Sequence, residues 1–270
     1  MEEIMDYLVY KEGVPTILSD FRVGIEVEFT GISKFVLAEH LVSIGKFKEK
    51  IVESRVVNGV TRVKIRLFDH LNRSWLLLVD RSIKPTSKDG ANVEENLDFM
   101  CELVSPILQS SEDFTFFFSV IDEIRELGGL VNDSCGLHMH LDAPTDVHIL
   151  KNISSRFITN QESYKDSLKV PDCRLEKYTK LYSKSFINSY NSVEPAIESI
   201  SDLQDFIYDT LGEGKPRGYE KNPARYYMLN LDSIHKRGTI EFRLFNSTLN
   251  TNIINKYLGW VHSFMCDCAV

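Results

Sequence analysis

The sequence predicts an α+β fold built on an antiparallel or mixed sheet, and three observations carry that expectation. Short apolar runs with period-two alternation recur along the chain, and several follow one another with only a turn between them. Segments of helical period are interleaved with these runs rather than gathered at one end. The length of 270 residues, 43% of them hydrophobic, is enough to bury a core as one domain or one domain with an insertion.

The elements follow in order. Residues 1–20 read as an N-terminal segment and 21–270 as a single domain. Phe21–Thr30 predicts a strand, because Ile25, Val27 and Phe29 alternate with Gly24, Glu26 and Glu28. Ser33–Ile44 predicts an amphipathic helix with Phe35, Val36, Leu37, Leu41 and Val42 on its apolar side. Lys50–Val57, Val60–Phe68 and Ser74–Asp80 are β-rich, and Asn58-Gly59 is a hairpin turn signal between the first two. Lys84–Asn96 holds Pro, Ser, Asp and Gly and predicts a loop, after which Leu97–Ser105 returns as a strand stopped by Pro106. Ser111–Leu127 predicts a helix, with a polar cap signal at its start and Gly128-Gly129 at its end. A histidine-bearing strand comes next. A mostly helical insertion then runs from about 146 to 211, broken at Pro171 and ended at Gly212. Gly212–Gly218 predicts a basic loop, Tyr226–Leu231 and Thr239–Phe245 a last strand pair, and Asn252 to about Cys266 a closing helix.

Composition narrows the function classes. A formal charge of −8 gives no bulk attraction for nucleic acid, which is not expected as a partner. Five scattered cysteines without a C-x-x-C pair predict free thiols in a reducing compartment; Cys266 and Cys268 have no second pair to complete a metal site. Met1–Tyr10 is acidic with no long apolar run, so no secretory leader is expected. Trp75–Val79 and Phe114–Ile121 fall far short of a membrane span, and a soluble cytoplasmic protein is expected.

Three polar dyads stand inside the apolar strands: Glu26 and Glu28, His138 and His140, and Glu241 and Arg243. Residues i and i+2 of a strand point the same way, about 6.5–7 Å apart. Each dyad therefore sets two functional groups on one sheet face while Val27, Met139 or Phe242 enters a core. Glu-x-Glu also marks the solvated face of an edge strand, but two adjacent carboxylates repel unless a cation lies between them. Hard oxygen donors with some histidine suit Mg²⁺ or Mn²⁺ better than structural zinc. His138 and His140 read either as surface histidines, as part of a zinc site lacking its third ligand, or as one metal ligand and one phosphate donor. Glu241 and Arg243 read either as an intrastrand ion pair or as a metal-ligating carboxylate beside a guanidinium that steadies a transferring phosphoryl group. Glu102 is a carboxylate inside an apolar strand, an extra ligand or an edge residue. Asp80, at a strand end, is a further ligand candidate or a turn former. Arg225 and Asn230 are candidate nucleotide contacts or the polar ends of a plain strand. The series Lys165, Lys169, Arg174, Lys177, Lys180, Lys184 reads as a solvated helix face.

Taken in order, Gly24-Ile-Glu-Val-Glu-Phe29, Asp80-Arg-Ser82, Glu102-Leu-Val-Ser-Pro106, Gly136-Leu-His-Met-His140, Arg225-Tyr-Tyr-Met-Leu-Asn-Leu231 and Gly238-Thr-Ile-Glu-Phe-Arg243 resemble the motifs of the carboxylate–amine ligase superfamily. That superfamily contains the glutamine synthetases and the glutamate–cysteine ligases, and the likeness is to its amidoligase branch. The resemblance implies a curved antiparallel sheet like that of the glutamine synthetase catalytic domain, with helices packed on its convex side. It implies an ATP- and Mg²⁺-dependent (or Mn²⁺-dependent) ligase that joins a small-molecule or peptide carboxylate to an amine through an acyl phosphate. By position, Glu26, His138 and Glu241 would hold one metal and Glu28 and Glu102 another. His140, Arg225 and Asn230 would contact the nucleotide, and Arg243 would touch it and stabilise the transfer; Glu28 and Arg243 are the expected catalytic pair. Asp80 and Arg237 complete the set as expected substrate contacts. Glu94, Glu95 and Asp80 are candidates for a remaining ligand of the second metal, and Lys84–Asn96 and Gly212–Gly218 for lids. Two rivals stay open, a phosphoryl-transferring kinase of the same fold and a catalytically inactive ATP-binding module.

Overall fold

The computed structural model describes residues 21–57, 60–86, 96–215 and 222–269. The N-terminal segment, the Asn58-Gly59 turn, Glu94 and Glu95, most of the first lid loop and the end of the second therefore lie outside the described residues. The protein is α+β and divides into two compact units, one made of residues 21–137 and 246–257, the other of 138–245 and 258–269.

The first unit holds β1 (Val23–Phe29), α1 (Lys34–Ser43), β2 (Glu49–Val57), β3 (Val60–Phe68), β4 (Ser74–Val79), β5 (Cys101–Val104) and α2 (Ser111–Glu126). Its strands lie in the order β2-β3-β4-β5-β1, each neighbouring pair antiparallel. Alternation does what the sequence predicts for β1. Val23, Ile25, Val27 and Phe29 are fully buried, and each such side chain withdrawn from water contributes about 1.5–3 kcal/mol. From β3, β4 and β5, Ile65, Leu67, Trp75, Leu77 and Leu103 are fully buried too, as are Phe114, Phe117, Val120, Ile121 and Ile124 of α2. The Trp75, Phe47 and Phe116 rings meet edge to face, with centroids 5.4–5.7 Å apart. Ser110 and Asp113 form a reciprocal capping box at the start of α2.

Two expectations change here. In α1 the buried face is Lys34, Leu37, Ala38 and Leu41, a clean i, i+3, i+4, i+7 stripe, whereas Phe35 and Val36 are exposed. Lys34 enters that stripe because its ammonium meets Asp98 at 2.5 Å. The strand predicted over Leu97–Ser105 shrinks to β5, preceded by a 3-10 turn at Leu97–Phe99. Asn96 starts that turn by accepting the Asp98 N–H, an Asx interaction that competes with extended backbone.

The second unit carries most of β6 (Gly136–Asp142), then α3 (Val147–Leu168), α4 (Asp172–Leu175), α5 (Lys184–Val193), α6 (Ile200–Leu211), β7 (Leu229–Asn230), α7 (Asp232–Arg237), most of β8 (Thr239–Asn246) and the end of α8 (Thr251–Cys268). Its strands lie in the order β6-β8-β7, with β7 antiparallel to β8. Phe242 packs on Phe157, Trp260 and Phe264, and Trp260 stacks on Phe264 with centroids 5.4 Å apart. That aromatic anchor turns Phe242 to the core and its neighbours Glu241 and Arg243 to the opposite face. The helical stretch breaks at Pro171 as predicted, and again at residues 176–183 and 197–199. The strand predicted over Tyr226–Leu231 is only Leu229–Asn230, flanked by a 3-10 turn at Pro223–Tyr226 and by α7. Asn222 caps the turn and Asn230 accepts the Asp232 N–H at the start of α7, so two Asx interactions end the strand on both sides.

Candidate active site

In the first unit, antiparallel register sets Glu28 of β1 directly opposite Glu102 of β5. Their carboxylate oxygens lie within 4.8 Å of one another, and Glu28 is buried while Glu102 is half-buried. At that separation two full charges repel by roughly 3–4 kcal/mol at an effective dielectric near 20. The Gly136 N–H donates to Glu28 Oε2 at 2.5 Å, and the Ser247 hydroxyl holds the Glu28 carbonyl at 2.5 Å, so the side chain and its backbone are both fixed. Glu26, two residues earlier on the same face, is also buried. Opposed carboxylates on neighbouring strands, one of them withdrawn from water, are a costly arrangement that a divalent cation offsets. This is a possible acidic metal site.

In the second unit the hub is Glu241, 4% exposed. Its Oε2 accepts from Asn230 Nδ2 at 2.6 Å across the β7–β8 register pair. Its Oε1 accepts from Arg243 Nη1 and lies 3.8 Å from both His138 Nδ1 and His140 Nε2. Arg237, at the end of α7, offers Nη1 to His140 Nε2 at 3.3 Å. A guanidinium only donates, so in that contact Nε2 accepts and Nδ1 carries the proton toward Thr239 Oγ1, 3.3 Å away. The Thr239 hydroxyl also meets the Ser233 hydroxyl at 2.8 Å. Arg243 is 7% exposed, and its Nε donates to the Tyr178 carbonyl at 3.2 Å. Behind Asn230, Asp232 accepts from the Tyr208 hydroxyl at 2.5 Å and from Lys236 at 2.6 Å. Burial, then the hydrogen bond to Asp232, pushes the Tyr208 hydroxyl far above its ordinary range, so it stays a donor.

The structure thus gathers His138, His140, Asn230, Arg237, Glu241 and Arg243 within one unit, and Glu26, Glu28 and Glu102 within the other. Asp80 and Arg225 stand differently. The Asp80 carboxylate accepts the Ser82 N–H at 2.7 Å, as a turn former does, and Arg225 lies over the Tyr226 ring at 5.4 Å. Arg174 corrects the solvated-face reading of the basic series: it is 2% exposed, because its guanidinium donates to the carbonyls of Phe245 and Arg243. Thr239, Ser233, Tyr178, Asp232 and Tyr208 were not legible as site residues. Asp232, two residues after Asn230, carried the one usable signal, an Asx pattern ahead of a helix.

The fold and the paired polar dyads define an α+β protein whose buried carboxylates, imidazoles and guanidinium suit charged-group chemistry. The family described as "Putative amidoligase enzyme" matches residues 19–265, and the chain belongs to that family. Membership supports an amide-bond-forming ligase acting on a carboxylate and an amine. A search of curated proteins returned no match for the chain. Among the described residues, no helix is long and apolar enough to cross a membrane.

Proposed function

We propose that the chain joins a carboxylate to an amine at the expense of ATP, with ADP and phosphate as the other products. Family membership supports the ligase class, and the ordered motifs resembling the carboxylate–amine ligase superfamily support the choice of ATP and acyl-phosphate chemistry. The observation that carries the reading is the Glu241 carboxylate, whose two oxygens are assigned different work: Oε2 is tied by Asn230, while Oε1 faces Arg243, His138 and His140.

The donor set fits a hard divalent cation, since carboxylate oxygens predominate and imidazole nitrogen is the minority ligand. In this reading Glu28 and Glu102 of the first unit hold one Mg²⁺ or Mn²⁺, His138 and Glu241 of the second hold another, and Glu26 is a further carboxylate ligand. When bound, such ions neutralise charge on the phosphate oxygens of the nucleotide. Arg243 offers its guanidinium to the phosphoryl group in transfer, Arg237 supplies donors for nucleotide or substrate oxygens, and His140 accepts from Arg237 beside them.

The bond from the γ-phosphorus to its bridging oxygen breaks as a carboxylate oxygen of the substrate takes that phosphorus, leaving ADP. The amine nitrogen then attacks the acyl carbon, the carbon–oxygen bond to phosphate breaks, and the amine proton leaves. Donors held rigidly before the reaction lower the barrier because they need not reorganise during it. The test is ADP release with Mg-ATP against pooled carboxylates and pooled primary amines, followed by mass spectrometry of the products. Release that needs both pools, with a condensed product, supports the reading. Release with a phosphorylated product and no amine dependence would replace it with a kinase.

A further inference from the structure

We propose that Arg174 is a positioning residue for Arg243, and that the short segment carrying Arg174 sets the Arg243 guanidinium from two directions. The functional meaning of this rests on the role given to Arg243 above, whereas its geometry does not. β7 pairs with β8 only at Leu229↔Phe242 and Asn230↔Glu241, and the Arg243 N–H reaches one residue further back, to the Met228 carbonyl at 2.8 Å. In an antiparallel strand the N–H and C=O of one residue share a side, and residues i and i+2 share it too. The carbonyls of Arg243 and Phe245 therefore face the side where β7 has run out of partners.

Arg174 takes the place of the missing strand. Its Nη1 donates to Phe245 O at 2.6 Å and its Nη2 to Arg243 O at 3.0 Å. A planar fork spans two carbonyls in a way that a single ammonium does not. The same segment then reaches the Arg243 side chain, since Tyr178 O accepts from Arg243 Nε at 3.2 Å. Arg174 and Tyr178 move as one piece: the N–H groups of Tyr178 and Thr179 both donate to Arg174 O, at 2.8 and 3.0 Å. The far end is stitched down by Lys180 N to Tyr226 O at 2.7 Å and Met228 N to Lys180 O at 3.0 Å. One guanidinium thus fixes the backbone under Arg243 while its own turn supplies the acceptor for the Arg243 Nε.

The test reads the Arg243 Nε–H directly, by ¹⁵N–¹H spectroscopy of the arginine side chains, with the signal assigned by its loss in Arg243→Lys. In the wild-type chain this proton is expected to be protected from exchange. In Arg174→Lys and Arg174→Gln it is expected to broaden or vanish while the backbone amide spectrum of the rest of the chain persists. Kinetically, both variants are expected to lower kcat by about tenfold or more, with KM for Mg-ATP within about twofold, because misplacement of a donor costs transition-state stabilisation. Folded variants with an unchanged Arg243 signal, or with a raised KM and an unaltered kcat, would overturn the proposal. If neither variant folds, native-state hydrogen exchange of the wild-type chain decides: the Arg243 Nε–H is expected to open together with the Tyr178 and Thr179 amides, and independent opening would overturn it. A wild-type chain without ligase turnover would defeat the ligase reading and leave the Arg243 signal to settle this one.

Discussion

Asn230 Nδ2 donates to Glu241 Oε2 at 2.6 Å while Asn230 Oδ1 accepts the Asp232 N–H at 2.9 Å, so the amide is oriented by partners on both sides. That orientation decides which Glu241 oxygen is left for Arg243 and the histidines. Replacing the amide by a second carboxylate removes a buried donor and sets like charges together. Asn230→Asp is expected to cost about 1–3 kcal/mol in urea unfolding at neutral pH, with an unchanged slope. An Asn230→Asp chain as stable as the wild type would show that this hydrogen bond does not hold Glu241.

The opposed carboxylates of Glu28 and Glu102 make a prediction with two signs. Without added cation, Glu102→Gln is expected to raise the melting temperature, because it removes a like-charge pair. With Mg²⁺ or Mn²⁺ the order reverses. A cation at 100 times its Kd adds about 2.7 kcal/mol to the wild-type chain, and Glu102→Gln is expected to lose most of that gain. Equal cation-dependent shifts for both chains in a thermal melt would rule out Glu102 as a ligand.

Acid stability turns on a second network, centred on Arg73. Arg73 bridges Asp69 at 2.8 Å and Asp113 at 2.6 Å. Burial pushes both carboxyls up, but N–H donors outweigh it. For Asp69 these are the Trp75 indole, then the Arg73 amide and guanidinium; for Asp113 they are the Gln109 and Ser110 amides, then Arg73. Both end below the ordinary aspartate value of 3.8. A carboxyl depressed on folding adds stability that is full above its unfolded value and is lost as pH falls through the folded one. The melting temperature is therefore expected to drop below about pH 4, and to drop less steeply in Arg73→Met. Superimposable acid profiles would contradict this assignment.

Thiol reactivity checks the packing independently. Cys173 and Cys266 are exposed, and Cys101, Cys135 and Cys268 are buried. Burial pushes the Cys101 thiol up to about 12, a shift the nearby Lys34 only partly offsets. A maleimide reagent is expected to label Cys173 and Cys266 quickly and Cys101 only after denaturation, as read by peptide mass spectrometry. Rapid labelling of Cys101 in the folded chain would mean that β5 is not packed as described.

Much of this arrangement was legible in the residues, for reasons that also explain what was not. Period-two alternation is a local signal, so β1 and β8 and the facing of Glu26 and Glu28, or of Glu241 and Arg243, follow from Ile25, Val27 and Phe242 alone. Register between strands is not local, and nothing near Glu102 in the chain says that it lies opposite Glu28. Tertiary context also overrides composition. Arg174 sits in a run of cations that looks solvated, yet two backbone carbonyls far along the chain bury it. Lys34 joins an apolar stripe for a similar reason, through Asp98. The strand expected over Tyr226–Leu231 failed because Asn222 and Asn230 offer their backbones a competing side-chain partner.

The central claim, that ATP activates a carboxylate for capture by an amine, is tested most directly by following oxygen. The wild-type chain is incubated with Mg-ATP, a pool of amino acids and short peptides carrying oxygen-18 in their carboxylates, and hydroxylamine as a general amine. The expected result is a hydroxamate together with inorganic phosphate that has gained an oxygen-18 atom, both abolished in folded Arg243→Ala and Glu28→Gln chains. Phosphate released without the label, or full transfer by the Arg243→Ala chain, would contradict the account.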